Sequence, residues 1–217
     1  MPSYIAPVVQ EIIQFYGPLL YEIQKFPNIP AHLAALADKM WTGVQSNQTV
    51  VYAEINNYHP DYLGKSIPYL KNVDINKAIC KKTIACEHGF KDWASVERLG
   101  DLQYDFRFEQ AVNLLLAGEF TALQQHIHAH PKLVVQRSSY PHGATLLHYA
   151  GSNGVEFWRQ QVPYNLPEIT AFLLEQGADK TATMRVYGGE HTSLALLLSS
   201  AHPYKAGIVT EMKNLLS

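Results

Sequence analysis

The chain has 217 residues, enough for one large domain or two small ones with a real core. Its formal charge of −2, from 17 Lys+Arg against 19 Asp+Glu, offers no basic footprint for nucleic acid and no polybasic membrane patch. Apolar residues make up 47%, ordinary for a folded globular protein, and no apolar run approaches the roughly 20 residues that span a bilayer.

The first Lys or Arg is Lys25, and Glu11 interrupts the opening apolar run, so no secretory leader is read and a cytoplasmic protein is expected. If Cys80 and Cys86 share one helix, they stand about 9 Å apart along its axis, too far for a disulfide. Both are then free thiols, as in a reducing compartment.

Apolar positions recur at helical spacing almost throughout. Ile5, Val8, Val9, Ile12, Ile13 and Tyr16 form a first stripe, broken at Gly17-Pro18. Pro27 and Pro30 bracket a predicted loop. A second stripe, Leu33, Leu36, Ala37, Met40 and Trp41, is expected to end at Gly43, with Ser46 or Asn47 capping the next helix. That helix carries Val51, Tyr52 and Ile55 and stops at His59-Pro60. After a loop with Gly64 and Pro68, Asp74 is the expected cap of a helix through Ile75, Ala78, Ile79 and Ile84, closed by Gly89. Asp92 then caps a short helix, DWASVERL. Few stretches alternate strictly, so no sheet is predicted.

From about residue 105 the pattern becomes a tandem helix-turn-helix. Residues 108–134 are one copy, 145–179 a second and 192–216 a third. Leu147 and Leu194 occupy matching places 47 residues apart, whereas an unbroken repeat of this kind needs about 33. Of the surplus, about eleven residues lie between Gly154 and PEITAFLL and about three in TATMRVYGGEHT; the third copy bulges at AHPYKAG in the place equivalent to the longer insert.

The second copy, ATLLHYAGSNG followed by ITAFLLEQGAD, resembles the ankyrin repeat. Thr145, Leu147, His148, Ala150, Gly154, Leu173, Leu174, Gly177, Ala178 and Asp179 match that pattern, while Leu146 stands where it has proline. The IACEHGFKDWASVERL segment looks like the lead-in of a group of bacterial ankyrin-repeat proteins. TVVYAEINNYHPDYL echoes TALQQHIHAHPKLV, so 34–64 reads as a degenerate helical repeat. The resemblance implies an all-α fold: an ankyrin-repeat α-solenoid of about three repeats with long inserts over 101–217, preceded by an irregular α-helical region over 1–100. It further implies that His148 holds neighbouring units through hydrogen bonds.

In such a stack, equivalent loops of successive units lie side by side. The VEFWRQQVPYN insert and the AHPYK bulge should share one edge, presenting Phe157, Trp158, Arg159, Tyr164, His202, Tyr204 and Lys205. Trp, Tyr and Arg dominate interface hot spots. These residues either form a ligand-facing crest or fold back to seal the array. On the opposite edge, residues 136–143 and 183–191 look like hairpin fingers exposing Tyr140, His142, Arg185, Tyr187, Glu190 and His191, a partner-binding face in the resembled family.

Other chemistry has weaker footing. His126 and His130 have an i, i+4 spacing that can chelate zinc, but no glutamate sits between them in HExxH fashion. A Cys80 or Cys86 nucleophile with His88 would lie on an apolar helix, where a buried thiol is commoner. The glycines of VYGGEH lack the lysine of a phosphate loop. The expectation is therefore a non-catalytic protein–protein interaction scaffold with an unidentified protein partner, no cofactor and no metal, contacting neither nucleic acid nor membrane. The alternative is an enzyme or small-ligand binder with a pocket beneath the insert, drawing on His148, Tyr149, Arg159, Tyr187, His191 and His202.

Overall fold

The computed structural model describes residues 2–217. The chain is mostly helical, and the sheets among the described residues are two antiparallel two-stranded ribbons. It divides into two compact units: Pro7–Tyr104, and Asp105–Ser217 together with the residues up to Ala6. No helix among the described residues is long and apolar enough to cross a membrane.

Strand β1 (Ser3–Ile5) belongs with the later unit. The 7–104 unit opens with α1 (Pro7–Tyr16), which buries Val9, Ile12 and Tyr16. Two 3-10 turns follow, at Gly17–Leu20 and Ile23–Lys25. Helix α2 (Ile29–Gln45) starts earlier and ends later than its apolar stripe predicts. Pro30 falls in its first turn, where a missing N–H is harmless, and Asn28 caps it by accepting from the Ala31 N–H at 2.8 Å. Gly43 does not end it. A Cβ there would meet Val51 Cγ1 at 2.5 Å and a Phe15 ring carbon at 2.6 Å, so this glycine serves a close helix crossing.

Helix α3 (Thr49–Tyr58) has no side-chain cap; Ser46 instead sits at the C-terminus of α2. After the short α4 (Ile67–Leu70), α5 (Lys77–Glu87) is capped by Asn76, which accepts from both Ala78 and Ile79, and not by Asp74. Gly89 follows with φ +82°, the left-handed residue that closes a helix. Asp92 caps α6 (Trp93–Glu97) through the Ser95 N–H at 2.8 Å. Helix α5 packs on α2 and α3, and α1 on α3. Cys80 and Cys86 are free thiols.

In the 105–217 unit, α7 (Phe106–Leu116) is capped by Asp105 and turns at Gly118, φ +68°, into α8 (Phe120–Ala129). Helix α8 ends at His130-Pro131 in a one-turn 3-10 helix, as α3 does at His59-Pro60, so the echoed segments share a local shape. The next pair is α9 (Leu146–Ala150) and α10 (Leu166–Glu175), joined through strand β2 (Gln161–Pro163). A hairpin of β3 (Thr183–Val186) and β4 (Gly189–Thr192) leads into α11 (Ser193–Ser199), then α12 (Ala201–Lys205) and α13 (Val209–Leu216).

Helix α9 packs between α7 and α11, and α10 packs on α9 and α13. Successive pairs therefore share one core, running from Phe108, Val112 and Leu115 through Leu147, Ile169 and Leu173 to Leu197, Met212 and Leu216. One pair could not bury its stripe alone. Helix α13 buries Ile208 beside its start, Met212 and Leu216, and leaves Thr210, Glu211, Lys213 and Asn214 in water, a polar outer face on the last pair.

Candidate functional site

The insert after α9 is built inward. Ser152 takes φ +53° and Gly154 φ +73°, turning the chain back on the array. A Cβ at Gly154 would stand 3.0 Å from Val186 Cγ1 and 3.1 Å from Leu196 Cδ2. Val155 is fully buried, and a 3-10 turn then places Phe157, Trp158 and Arg159, each at most 7% exposed. Strand β2 pairs with β1, Tyr4 opposite Val162. The AHPYK bulge lies against the insert: His202 Nδ1 is 2.9 Å from the Gln160 carbonyl, Ser200 Oγ donates to the Ser152 carbonyl at 3.1 Å, and Asn153 Nδ2 donates to Ser199 Oγ at 2.8 Å.

The two enlarged connections are neighbours, but the crest expectation is corrected at Phe157, Trp158 and Arg159. Buried side chains present no surface; these three seal the core. Tyr164, Tyr204 and Lys205 are exposed, and His202 is half-buried.

Arg159 is the centre of a buried ion cluster. Its Nη2 donates to Glu109 Oε2, its Nη1 to Glu156 Oε1 at 3.0 Å and to the Tyr149 hydroxyl at 3.4 Å. The guanidinium lies 4.7 Å from the Trp158 ring centroid and 5.4 Å from that of Tyr149. Burial opposes its charge, and Glu109 and Glu156 more than offset that, holding it protonated well above the usual arginine range. Burial, then Glu156, pushes the Tyr149 hydroxyl up, so it stays a neutral phenol.

His148 is fully buried; its Nδ1 is hydrogen-bonded and its Nε2 has no hydrogen-bond partner among the described residues. Its Nδ1 accepts from the Thr145 N–H at 3.1 Å and lies 2.8 Å from Thr145 Oγ1, a capping box with histidine in the glutamate's place. The carbonyls of His191 and Ala182, on and beside the next hairpin, face the ring and favour its charged form; burial outweighs them and lowers its pKa to about 4.

The six residues of the alternative enzyme reading do not converge. Tyr149 and Arg159 meet in the core, His148 caps a helix, His202 reaches the Gln160 carbonyl, and Tyr187 and His191 stand on the hairpin. None of them lines the cleft described next.

The finger edge supplies that cleft, about 320 Å³, between 137–143 and 183–190. Its walls include Arg137, His142, Gly143, Thr183, Arg185 and Glu190. The Arg185 N–H donates to the His142 carbonyl at 2.9 Å, joining the hairpin to the preceding finger. Arg137 Nη1 donates to the Gly143 carbonyl at 2.6 Å and the Thr183 carbonyl at 2.7 Å, tying the same two segments. Arg185 Nε donates to Glu190 Oε1 at 3.3 Å, and Glu190 Oε2 accepts from Thr183 Oγ1 at 2.9 Å.

At the hairpin tip Tyr187 takes φ +54°, followed by Gly188 at φ +77°. Two such residues make the primed turn that matches strand twist. Glycine or asparagine suits the first position, and a bulky aromatic there is strained. Its ring is 61% exposed, and its hydroxyl donates to Asn153 Oδ1 at 2.7 Å.

Of the predicted finger residues, Arg185, Tyr187 and Glu190 are exposed and His191 is half-buried. Tyr140 and His142 are corrected to buried, at 5% and 2%, because they pack towards Tyr149, with the His142 and Tyr149 ring centroids 6.5 Å apart. His126 and His130 lie edge to face at 5.2 Å, and His126 Nε2 is 2.9 Å from the Arg107 carbonyl. No group of three or more His, Cys, Asp or Glu among the described residues could hold a metal ion.

Sequence reasoning missed three features. Arg137 lies within the predicted finger 136–143 and was not singled out. Glu109 occupies the apolar phase of α7, three residues before Val112. Glu54 does the same in α3, three and four residues after Val51 and Val50. A carboxylate in register with an apolar stripe is the signal that could have found both.

Glu54 accepts from the Tyr16 hydroxyl at 2.8 and 3.0 Å and shares a hydrogen bond with Glu87. Burial first, then Glu87, raises its pKa well above the ordinary carboxylate value. Burial and Glu54 push the Cys80 thiol up to about 12, so it is no thiolate at neutral pH. His88 Nδ1 bonds the Ile84 carbonyl at 2.7 Å. No family model, curated protein or solved structure matches the chain.

Proposed function

We propose that residues 105–217 are an ankyrin-type repeat array acting as a non-catalytic protein–protein interaction module, and that its working face is the finger edge. The repeat motif supports the fold assignment. Thr145, Leu147, His148 and Ala150 form the first helix and its cap, and Gly154 and Gly177 take the left-handed turns, at φ +73° and +93°. His148 caps its own helix through Nδ1, and the carbonyls of His191 and Ala182, on and beside the following hairpin, act on its ring electrostatically, in line with the inter-unit role that the resemblance implies.

One observation carries the choice of face: a strained, solvent-facing tyrosine at the hairpin tip, two residues from an arginine-lined cleft. Backbone strain at an exposed aromatic does nothing for the core, and such strain concentrates at binding sites. Phe157, Trp158 and Arg159 of the insert are buried and offer no such face, while Tyr164 and Tyr204 stay exposed.

The test is photo-crosslinking in a lysate of the source cells, with benzoylphenylalanine replacing Tyr187 in one variant and Tyr69, equally solvent-facing in the other unit, in a second. The expected result is a discrete adduct from position 187 that excess unlabelled protein suppresses and excess Arg185→Ala protein does not. Equal labelling from both positions, or adducts indifferent to Arg185, sinks the assignment.

A further inference from the structure

We infer that the finger cleft is a carboxylate clamp for an acidic peptide segment of a partner protein, a specificity that rests on the interaction reading above. Arg137 is preorganised for the task. Its Nη1 is fixed by two carbonyls, one from each finger, and its Nε and Nη2 have no protein acceptor among the described residues. A guanidinium is planar, so anchoring one corner fixes the direction of the remaining donors. Gly143 holds the turn beside it at φ +64°, and its position against Arg137 Nη1 is ordinary contact.

Arg185 is the second arm. Its side chain is 77% exposed, and it pairs with Glu190 through Nε at 3.3 Å. Both its Nη groups lack a protein acceptor among the described residues. Glu190 acts as a stand-in for the ligand, a carboxylate of the chain itself held by the cleft's arginine and by Thr183. Solvent-exposed pairs of this kind are weak, so an incoming carboxylate bridging both arginines displaces it readily.

The cleft's size and lining favour the same ligand. At about 320 Å³ it lies at the lower end of small-molecule sites, and its walls are polar and charged where such sites are mostly apolar. It fits the head of a side chain whose peptide runs on across the projecting hairpin, where Tyr187 offers an exposed ring. A polyanion such as nucleic acid needs a row of cations; here two arginines stand beside Glu190 in a chain of formal charge −2.

Fluorescence anisotropy of labelled hexapeptides, at low salt, tests the clamp on the full chain. C-terminally amidated hexaglutamate carries side-chain carboxylates alone, free-acid hexaglutamine a terminal carboxylate alone, and amidated hexaglutamine neither. Binding of either carboxylate peptide at least about tenfold tighter than the blank is expected, and tells which carboxylate the cleft prefers. Arg185→Ala and Arg137→Lys should each weaken it about fivefold or more, while Lys132→Ala, which loses the same charge as Arg185→Ala, leaves it within about twofold. Glu190→Gln should tighten it. Thermal melts confirm that each variant is folded, and Arg185 is too exposed for its loss to unfold the unit.

The clamp is overturned if all three peptides bind alike, if Lys132→Ala weakens binding as much as Arg185→Ala, or if an oligothymidylate binds tighter with the same arginine dependence. Retained Tyr187 adducts with no peptide binding would discard the clamp and leave the interaction face standing. Loss of the adducts with peptide binding intact would do the reverse.

Discussion

At Arg159 a guanidinium sits out of water between Glu109 and Glu156, with Tyr149 and Trp158 against it. Burying one cation against two carboxylates adds little net stability, but removing the cation leaves two anions stranded in the core. Arg159→Met is therefore expected to destabilise the 105–217 unit by about 3–5 kcal/mol, read as a lowered midpoint in urea. Replacing Glu109 by Leu in that background should recover part of the loss; strict additivity of the two changes would contradict the cluster. The sequence could not place this arginine. Composition marks Arg beside Phe and Trp as interface chemistry, and the opposing facts, Glu109 some fifty residues earlier on the apolar phase of α7 and Glu156 one turn before, are visible only as misplaced carboxylates.

At the scale of elements the helices were legible because their apolar spacing is strong, and so were ends with a cap or a left-handed glycine, such as Asp92 and Gly89, while the ends of α2 and the start of α5 were not. Helix α2 runs past Gly43 because that glycine lets Val51 and Phe15 approach, a tertiary need that looks like a helix stop in one dimension. The buried insert is the harder case: whether an aromatic loop seals or projects depends on the space beside it, here set by Gly154. Two glycines separate conformation from space. Gly177, φ +93°, has open room for a Cβ, so Gly177→Ala should lose only the left-handed backbone cost, about 1–2 kcal/mol. Gly154→Ala incurs the same cost and also presses on Val186 and Leu196, so it should lose about 1–3 kcal/mol more. Both are read by chemical denaturation. Equal losses would mean that the insert turn has slack and that the seal is not tight.

At the scale of the whole molecule, His148 in one unit and Glu54 in the other carry opposite proton linkages. His148 has its pKa lowered from 6.5 to about 4, so the folded state prefers the neutral ring. Its contribution is present above the unfolded value and is lost as pH falls from about 6.5 towards 4; about 1.4 kcal/mol per unit gives at most about 3 kcal/mol. In the other unit Glu54 has a raised pKa, facing Tyr16 from α1 and Glu87 and Cys80 from α5. Its contribution is complete below the ordinary glutamate value of about 4.3 and is lost as pH rises through the folded value. Acidification from neutrality should thus weaken the 105–217 unit through His148, while Glu54 strengthens the 7–104 unit against the opposing linkage of His59, whose pKa burial lowers; His59→Asn removes that opposition and is made in the background of every 7–104 titration. Tryptophans report the two separately, because Trp158 lies in one and Trp41 and Trp93 in the other. Urea titrations of Trp158→Phe follow the 7–104 unit, and those of Trp41→Phe/Trp93→Phe follow the 105–217 unit. The midpoints should move in opposite directions between neutral and mildly acid pH. Glu54→Gln, which keeps an acceptor for Tyr16 and a donor for Glu87 without the charge, should raise the 7–104 midpoint at neutral pH and flatten its slope. His148→Gln should flatten the other slope at some loss of stability, since the inter-unit carbonyls lose their imidazole. If both midpoints fall together on acidification and Glu54→Gln lowers stability at neutral pH, the buried carboxyl is ionised in the folded protein, and the opposition between the units does not exist.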